Sequence, residues 1–312
     1  MKNKPRLAVV TPFLDKRHGT ERRVLEWVSQ LAGAFEIHVY SQRVEDLDLT
    51  KIVWHRIPKL PGPHLFNYIW WLAANSIWRG WDRRFRGLRH DLVFSPGPNC
   101  LDADVMSVHV IFAEYLRKSG SGLAFEQNPV SSWGRLLHRK LYYSMVIRRE
   151  RRAYTCPDIT LILIARKMAA DLERFYGRRD HLAVIYAGLD HGAFNPSRAA
   201  ALRADARKQI GISAERFAVL LIGNDWRNKG LPTLLGALAL LRELPVDVLV
   251  VGQDDSAPYE ALARGYGLGD RVYFLPARSD VEHYYAAADL YAGPSLEDAF
   301  ALPIAESMAC GL

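Results

Sequence analysis

Phe217–Gly230, FAVLLIGNDWRNKG, is the stretch of this sequence that decides the fold. Its first six residues form an apolar run of the length expected for a strand buried on both faces of a sheet. Gly223 permits a tight exit from that strand, and the apolar periodicity of residues 231–241 predicts a helix directly after the loop. A buried strand, a glycine turn and a helix in this order are typical of a doubly wound α/β domain.

Strands and helices alternate on both sides of this stretch. The patterns predict strands at 7–11, 35–41, 52–57, 92–95, 106–110, 159–164, 182–186, 246–251, 272–275 and 290–292, and helices at 20–32, 166–176, 259–266 and 281–288. We therefore expect two Rossmann-like domains, over residues 1–156 and 157–312, facing a cleft beyond the carboxyl ends of their strands. Because no further strand follows the last predicted helix, the sequence predicts a second domain that is truncated at its C-terminus.

Length and composition indicate a globular protein. The chain has 312 residues, of which 49% are hydrophobic, and no run reaches the roughly 18 to 20 apolar residues of a membrane span. The N-terminus lacks a signal-peptide core, which predicts a cytoplasmic location. Cys100, Cys156 and Cys310 are odd in number and far apart, so we expect reduced thiols rather than disulfides or a zinc site.

Charge is divided unevenly along the chain. Residues 1–155 contain 25 Lys and Arg against 14 Asp and Glu, a balance of +11, and residues 156–312 contain 16 against 20, a balance of −4. The asymmetry predicts an anionic partner for the first half: an acidic membrane surface, an anionic glycolipid or a nucleic acid.

Two segments of the basic half combine aromatic and basic residues. The first segment contains Trp70, Trp71, Trp78, Trp81, Arg79, Arg83, Arg84, Arg86 and Arg89; the second contains Trp133, Arg135, Arg139, Lys140, Tyr142, Tyr143, Arg148, Arg149, Arg151 and Arg152. Both fit helices at the interface of an anionic bilayer. The alternative is that the tryptophans form core and the arginines a solvated face.

Two carboxylates stand eight positions apart near the end of the chain. Pro294 and Ser295 predict a turn that presents Asp298, and Pro303 suits the first turn of a helix that carries Glu306. Carboxylates accept hydrogen bonds from the hydroxyls of a sugar and a ribose. The pair therefore predicts a nucleotide-sugar as ligand.

Two cations precede the helix that follows the opening stretch. Arg227 and Lys229 stand near that helix N-terminus, where they could cradle a pyrophosphate. Taken alone, a basic loop before a helix is more often an ordinary solvated turn.

These segments together resemble the C-terminal domain of retaining GT-B glycosyltransferases of family 4. The resemblance rests on residues 219–223, 229–230, 286–290 and 294–306. Residues 185–190 are similar to the family's Pro-Asn-Gly-Val-Asp segment, and residues 19–22 to its N-terminal glycine loop. The loop at 223–230 is similar to that of the lipopolysaccharide-core glucosyltransferase branch. The resemblance implies the GT-B architecture.

The resemblance also implies residue roles in the second domain. Arg227 and Lys229 would bind the donor diphosphate, with Gly223 at the exit of the strand. Glu306 would accept hydrogen bonds from the ribose, and Asp298 would contact the transferred sugar. The family usually has Glu where this chain has Asp298, and often Gly-Phe-Gly where it has Ala-Phe-Ala, which changes the reach to the sugar.

Two residues of the first domain match the family pattern as well. Gly19 stands where the family's loop lets backbone amides approach the donor phosphate and the acceptor, although a glycine before a helix is also an ordinary start of a helix. His109 resembles the family histidine that contacts the transferring sugar. A single histidine at the end of a strand is otherwise more often structural.

The resemblance implies transfer of a hexose, with retention, from a nucleotide-sugar that we expect to be UDP-linked. The acceptor would be a glycolipid or polysaccharide of the cell envelope, reached at the inner face of the cytoplasmic membrane, and no metal or other cofactor is expected. Alternatives are a basic module that binds membranes or nucleic acid, and a GT-B relative such as a nucleotide-sugar epimerase. Binding of nucleic acid would not explain the carboxylates Asp298 and Glu306, so we do not expect it.

Overall fold

The computed structural model describes residues 4–15, 19–118, 133–278 and 280–312, with residues 133–136 described by their backbone only. The chain divides into two compact units, Met1–Ala187 and Gly188–Leu312. Each unit is built around its own parallel sheet.

The first unit contains a sheet of seven parallel strands. Its strands in the order of the sheet are β5 (Ile52–Arg56), β3 (Glu36–Ser41), β1 (Arg6–Val10), β6 (Leu92–Pro96), β7 (Val105–Val108), β8 (Thr160–Leu163) and β9 (Leu182–Val184). A small separate pair joins β2 (Phe13–Leu14) and β4 (Arg43–Val44). Strand β1, which lies inside the sheet between β3 and β6, is buried along Leu7 to Val10, as expected for a strand that is covered on both faces.

Five helices of the described residues accompany this sheet. They are α1 (Gly19–Leu31), α2 (His64–Phe85), α3 (Phe112–Lys118), α4 (Trp133–Tyr154) and α5 (Lys167–Tyr176), with a short 3₁₀ turn at Leu49–Lys51. The apolar stripe Val24, Leu25 and Val28 of α1 packs against β1 and β3 and forms one core of the unit.

The second unit has a sheet of four parallel strands. Its order is β12 (Val272–Leu275), β11 (Val246–Val251), β10 (Phe217–Ile222) and β13 (Leu290–Tyr291). The helices are α6 (Pro196–Ile210), α7 (Leu231–Ala239), α8 (Ala257–Gly265), α9 (Glu282–Ala287) and α10 (Leu302–Cys310), with a 3₁₀ turn at Gly269–Arg271. Apolar residues of α7 and α8 cover one face of the sheet, and those of α6, α9 and α10 cover the other. The predicted doubly wound α/β fold is confirmed.

The domain boundary predicted after residue 156 needs correction. Strands β8 and β9 extend the first sheet, where Val105 of β7 pairs with Thr160 of β8, so residues 157–187 belong to the first unit. Arg178 fastens this extension by donating hydrogen bonds to the carbonyls of Cys156 and Ile159, both at 2.6 Å. The sequence pattern shows that a new strand begins after Pro157, but not which sheet it joins.

The two aromatic and basic segments lie on helices α2 and α4, except for Arg86 and Arg89, which follow the last residue of α2. Of the predicted interfacial residues, Trp71 is core, with its indole donating to Asn99 at 3.0 Å, and the buried Arg79 pairs with Asp102. Trp81 is 57% exposed. The segment thus combines core and surface residues, while the side chains of Trp133 and Arg135 lie outside the described residues. No helix in the described ranges is long and apolar enough to cross a membrane.

Candidate functional site

The candidate site of the second unit lies at the carboxyl edge of its sheet. The loop 223–230 leaves β10, and the loop 292–301 leaves the neighbouring strand β13. Because the two strands are parallel, their loops emerge side by side, at the edge where doubly wound sheets bind ligands. Gly223, Arg227 and Lys229 lie on the first loop and Asp298 on the second.

The two loops are fastened to each other through Asn228. Its backbone carbonyl accepts a hydrogen bond from Leu296 N at 2.7 Å, and its amide Nδ2 donates to the carbonyl of Glu297 at 2.8 Å. Gly230 adds a close approach, because a Cβ at this position would collide with the carbonyl oxygen of Pro294. Only glycine fits there, and its φ of +80° also favours glycine. These contacts therefore hold the two loops in a fixed relative position.

The first loop is also fastened on its other side. Asp254, which follows β11, accepts hydrogen bonds from the backbone N–H groups of Asp225 and Trp226 at 3.0 and 2.8 Å. The Trp226 ring is buried against Tyr259 and Phe274, so it anchors the loop in the core rather than facing a ligand. The loop is thus a rigid support for the cations it carries.

Lys229 and Asp298 form the centre of the site. The ammonium Nζ of Lys229 lies 2.5 Å from Oδ2 of Asp298, and both side chains are partly buried. The lysine stem passes over Gly223, where a Cβ would come within 2.9 Å of Lys229 Cε. Gly223 has a φ of +138°, a backbone conformation that favours glycine. The predicted cation and the predicted first carboxylate therefore meet.

Glu306 is buried in the middle of α10. Its Oε2 accepts a hydrogen bond from the hydroxyl of Tyr285 at 2.7 Å. Burial and the nearby carboxylate raise the pKa of Tyr285 well above its usual range, so the phenol stays protonated and donates. Burial also raises the pKa of Tyr291, and the charges of Asp298 and Glu306 raise it further. Tyr291 therefore lies near both carboxylates.

Arg227 occupies a different position from Lys229. Its side chain is exposed, and its charge acts on Tyr259 of α8. The structure brings Lys229 to the carboxylate of Asp298. Sequence reasoning missed three residues of this site, Asn228, Tyr285 and Tyr291, because no spacing rule connects any of them to Lys229, Asp298 or Glu306.

His109 lies in the first unit, just beyond the carboxyl end of β7. Its Nε2 is 2.8 Å from the hydroxyl of Ser107, and its ring lies beside Trp27 of α1 at a centroid distance of 6.1 Å. Its Nδ1 is buried and has no hydrogen-bond partner among the described residues. Burial lowers the pKa of His109 to about 3, with the charge of Arg23 acting in the same direction. The imidazole is therefore neutral at physiological pH.

Gly19 is the first residue of α1 and is exposed. Its φ is not positive, and a Cβ there would meet nothing within 4 Å. Glycine is therefore not required at this position by the described surroundings. The residues directly before it, 16–18, lie outside the described ranges.

We find no metal site in the part of the chain that the structure describes, since no three His, Cys, Asp or Glu side chains are grouped to hold an ion. The expectation that no metal or other cofactor takes part stays a prediction.

Comparison with known proteins identifies the second unit. Residues 203–312 match the family described as Glycosyl transferases group 1, and this range contains the whole of the candidate site around Lys229, Asp298 and Glu306. Residues 203–312 are therefore similar to the group 1 glycosyl transferases. The predicted family resemblance is confirmed for this part of the chain.

The relatives and fold neighbours agree with this assignment. The chain is 30% identical over 156 residues to lipopolysaccharide glucosyltransferase WaaG of Escherichia coli K12. The matched region covers 49% of this chain and 42% of that protein. The chain thus spans less than half the length of the curated relatives it matches.

Solved structures extend the likeness to the whole chain. A crystal structure of WaaG, described as a glycosyltransferase involved in lipopolysaccharide biosynthesis, superposes with a TM-score of 0.76 at 22% identity and covers 98% of this chain and 79% of its own. Anabaena Alr3699/HepE, solved with UDP-glucose, gives 0.65 at 20% identity and covers 98% and 78%. At these identities the likeness concerns the fold alone, and that fold is GT-B.

Proposed function

We propose that this chain transfers a hexose from a UDP-linked donor to a glycolipid or saccharide acceptor of the cell envelope, with retention of configuration. The observation that carries the proposal is the meeting of Lys229 and Asp298 at 2.5 Å within a group 1 glycosyltransferase unit. An ammonium and a carboxylate at one loop edge suit a ligand that has both a phosphate and sugar hydroxyls.

The proposed roles follow from the chemistry of each side chain. Lys229 binds the diphosphate and stabilises the charge that develops as the nucleotide leaves. Asp298 accepts hydrogen bonds from the transferred sugar, and Glu306, oriented by Tyr285, accepts them from the ribose. His109, neutral at physiological pH, contacts an uncharged sugar hydroxyl. An oxygen of the leaving nucleoside diphosphate takes the proton of the acceptor hydroxyl. That hydroxyl attacks the sugar from the same face that the diphosphate leaves.

The choice of donor rests on the relatives. The E. coli relative is named a glucosyltransferase, which supports a hexose, and a fold neighbour was solved with UDP-glucose, which makes uridine the first base to test. A ligand that is present at 100 times its dissociation constant stabilises the folded state by about 2.7 kcal/mol. Thermal shifts with UDP, GDP, ADP and their glucose conjugates will therefore identify the base.

Lys229→Met tests the site directly. We expect it to abolish the thermal shift with the nucleoside diphosphate. It should also abolish the release of nucleoside diphosphate from the donor in the presence of a lipid acceptor. Lys208→Met, which removes an exposed lysine of α6 in the same unit, is the matched control and should retain both. Native-like ligand binding and turnover by Lys229→Met would contradict the proposal.

A second proposal concerns the membrane surface. Apolar residues at helical spacing are exposed on one side of α2, namely Phe66, Ile69, Ile77 and Trp81, and Arg83, Arg84 and Arg86 follow at its C-terminal end. An apolar stripe beside a basic cluster suits the headgroup region of an anionic bilayer. We propose that this face of α2 holds the protein at the inner face of the cytoplasmic membrane.

Liposome sedimentation tests this surface. We expect binding to anionic vesicles that weakens with salt, because screening reduces the attraction of the arginines. Trp81→Ser together with Ile77→Ser should reduce binding, whereas Leu240→Ser, at a still more exposed leucine of the second unit, should not. Equal binding of the native chain to neutral vesicles would overturn the electrostatic part of the proposal.

A further inference from the structure

Lys229 and Asp298 are already engaged with each other in the structure. Their charged atoms lie 2.5 Å apart, and the side chains are only 18% and 23% exposed. The proposed function gives them different parts of one donor, the diphosphate to Lys229 and the sugar to Asp298. A diphosphate that binds the ammonium of Lys229 must therefore compete with Asp298 for it.

The carboxylate cannot simply withdraw when the lysine changes partner. The loop that carries Asp298 is tied to the loop that carries Lys229 by Leu296 N to Asn228 O, at 2.7 Å, and by Asn228 Nδ2 to Glu297 O, at 2.8 Å. Gly230 also packs against the backbone of Pro294. Asp298 follows directly in this fastened segment, so it stays beside the bound diphosphate.

We propose that Asp298 is the residue by which the site distinguishes the sugar-bearing donor from the bare nucleoside diphosphate, an inference that rests on the proposed function. Once the diphosphate engages Lys229, Asp298 has lost its cation and lies beside a second anion, which weakens binding. The hydroxyls of a donor sugar give this carboxylate new hydrogen-bond donors, and a bare diphosphate gives it none. The ion pair thus lowers the affinity for the free product and favours its release.

Asp298→Asn tests the inference, because it keeps the shape of the side chain and removes its charge. Dissociation constants for UDP and UDP-glucose, or for the base that the thermal screen selects, are measured by isothermal titration calorimetry. We expect UDP to bind about tenfold more tightly to the variant, while UDP-glucose gains nothing or binds more weakly. Glu297→Gln makes the same change of charge one residue away, and we expect it to change both constants by the same factor.

The outcomes separate this inference from the proposed function. Equal strengthening of both ligands by Asp298→Asn, or unchanged affinity for UDP, overturns the selective role of Asp298. If Lys229→Met abolishes binding of UDP in that case, the proposed function still stands. If the native chain binds none of these nucleotides, both the function and the inference fail.

Discussion

Tyr285 acts through Glu306 and gives a prediction at the scale of one residue. Its hydroxyl donates to the buried carboxylate at 2.7 Å, so Tyr285→Phe leaves Glu306 without this donor. We expect a loss of unfolding free energy of about 1.5–3 kcal/mol, the range for a hydrogen bond to a charged group. Because Glu306 is proposed to bind the ribose, the dissociation constant of UDP should rise about tenfold, equivalent to about 1.4 kcal/mol, while that of inorganic pyrophosphate should not change.

Tyr284→Phe is the matched control for this prediction. Tyr284 is the preceding residue on α9, and its hydroxyl donates to the carbonyl of Pro276 at 2.6 Å, away from Glu306. Its loss should lower stability without changing the affinity for either ligand. Parallel weakening of UDP and pyrophosphate by Tyr285→Phe would indicate a purely structural role.

Individual site residues divide into those that the sequence could predict and those that it could not. Lys229 and Asp298 carry charge on predicted loops, and Glu306 carries charge on a helix that Pro303 predicts. Charge of this kind is visible in sequence. Tyr285 and Asn228 position other groups by hydrogen bonds to partners 21 and 69 residues away. Such partners are brought together by the fold, so the sequence alone gives no signal for them.

Gly230 gives a prediction at the scale of the two loops. A Cβ at this position would meet the backbone of Pro294, which cannot rotate away as a flexible side chain can. Gly230→Ala also forces alanine to adopt a φ of +80°. We expect the variant to lose about 2–4 kcal/mol of unfolding free energy, from overpacking and backbone strain together, as measured by denaturant titration. Binding of nucleoside diphosphate should be lost as well, since Lys229 and Asp298 would move apart.

Gly265→Ala is the control for the loop prediction. Gly265 ends helix α8 in the same unit, its φ is not positive, and a Cβ there would meet nothing within 4 Å. Alanine has the higher helix propensity, so the variant should be unchanged or more stable by up to about 1 kcal/mol. A Gly230→Ala protein as stable as Gly265→Ala would show that the loops can separate without cost.

Most elements could be predicted because their apolar patterns are strong. The predicted strands at 217–222, 246–251 and 272–275 match β10, β11 and β12 residue for residue. Helix α6 was not predicted because its apolar stripe is weak. Its ends nevertheless carry ordinary signals, since Asn195 caps the first turn, Pro196 begins the helix, and Gly211 ends it with a φ of +84°.

At the scale of the molecule, the division of charge survives the corrected boundary. The first unit contains 30 Lys and Arg against 18 Asp and Glu, and the second contains 11 against 16. The basic surface therefore belongs to the unit with the exposed face of α2, and the candidate donor site to the acidic unit. The sequence predicts this division because charge is additive along the chain, whereas the joining of β8 and β9 to the first sheet depends on tertiary packing.

A group of three buried or half-buried histidines links the first unit's stability to pH. His55 Nδ1 lies 2.7 Å from Asp82, and His38 Nδ1 lies 3.0 Å from His55 Nε2. The ring of His90 packs edge-on against His38 and Tyr40. Burial lowers the pKa of all three histidines, and that of His90 to about 4. They are therefore neutral in the folded protein at neutral pH.

The sign of the pH effect follows from these lowered values. In the unfolded chain His90 takes up a proton below a pH of about 6.5, whereas in the folded chain it does so only near pH 4. Acidification therefore lowers the free energy of unfolding between these two pH values. Glu150 acts in the opposite direction, because burial raises its pKa to about 7 and its contribution to stability is lost as the pH rises through that value.

Comparison of variants isolates the histidine effect. His90→Asn should flatten the fall in unfolding free energy between pH 6.5 and 4 by about 1–3 kcal/mol, measured by urea titration at each pH. His181→Asn removes an exposed histidine of the same unit at a φ of +52°, which asparagine tolerates, and should leave the native slope intact. Parallel curves for the native chain and His90→Asn would contradict a role for His90 in acid sensitivity.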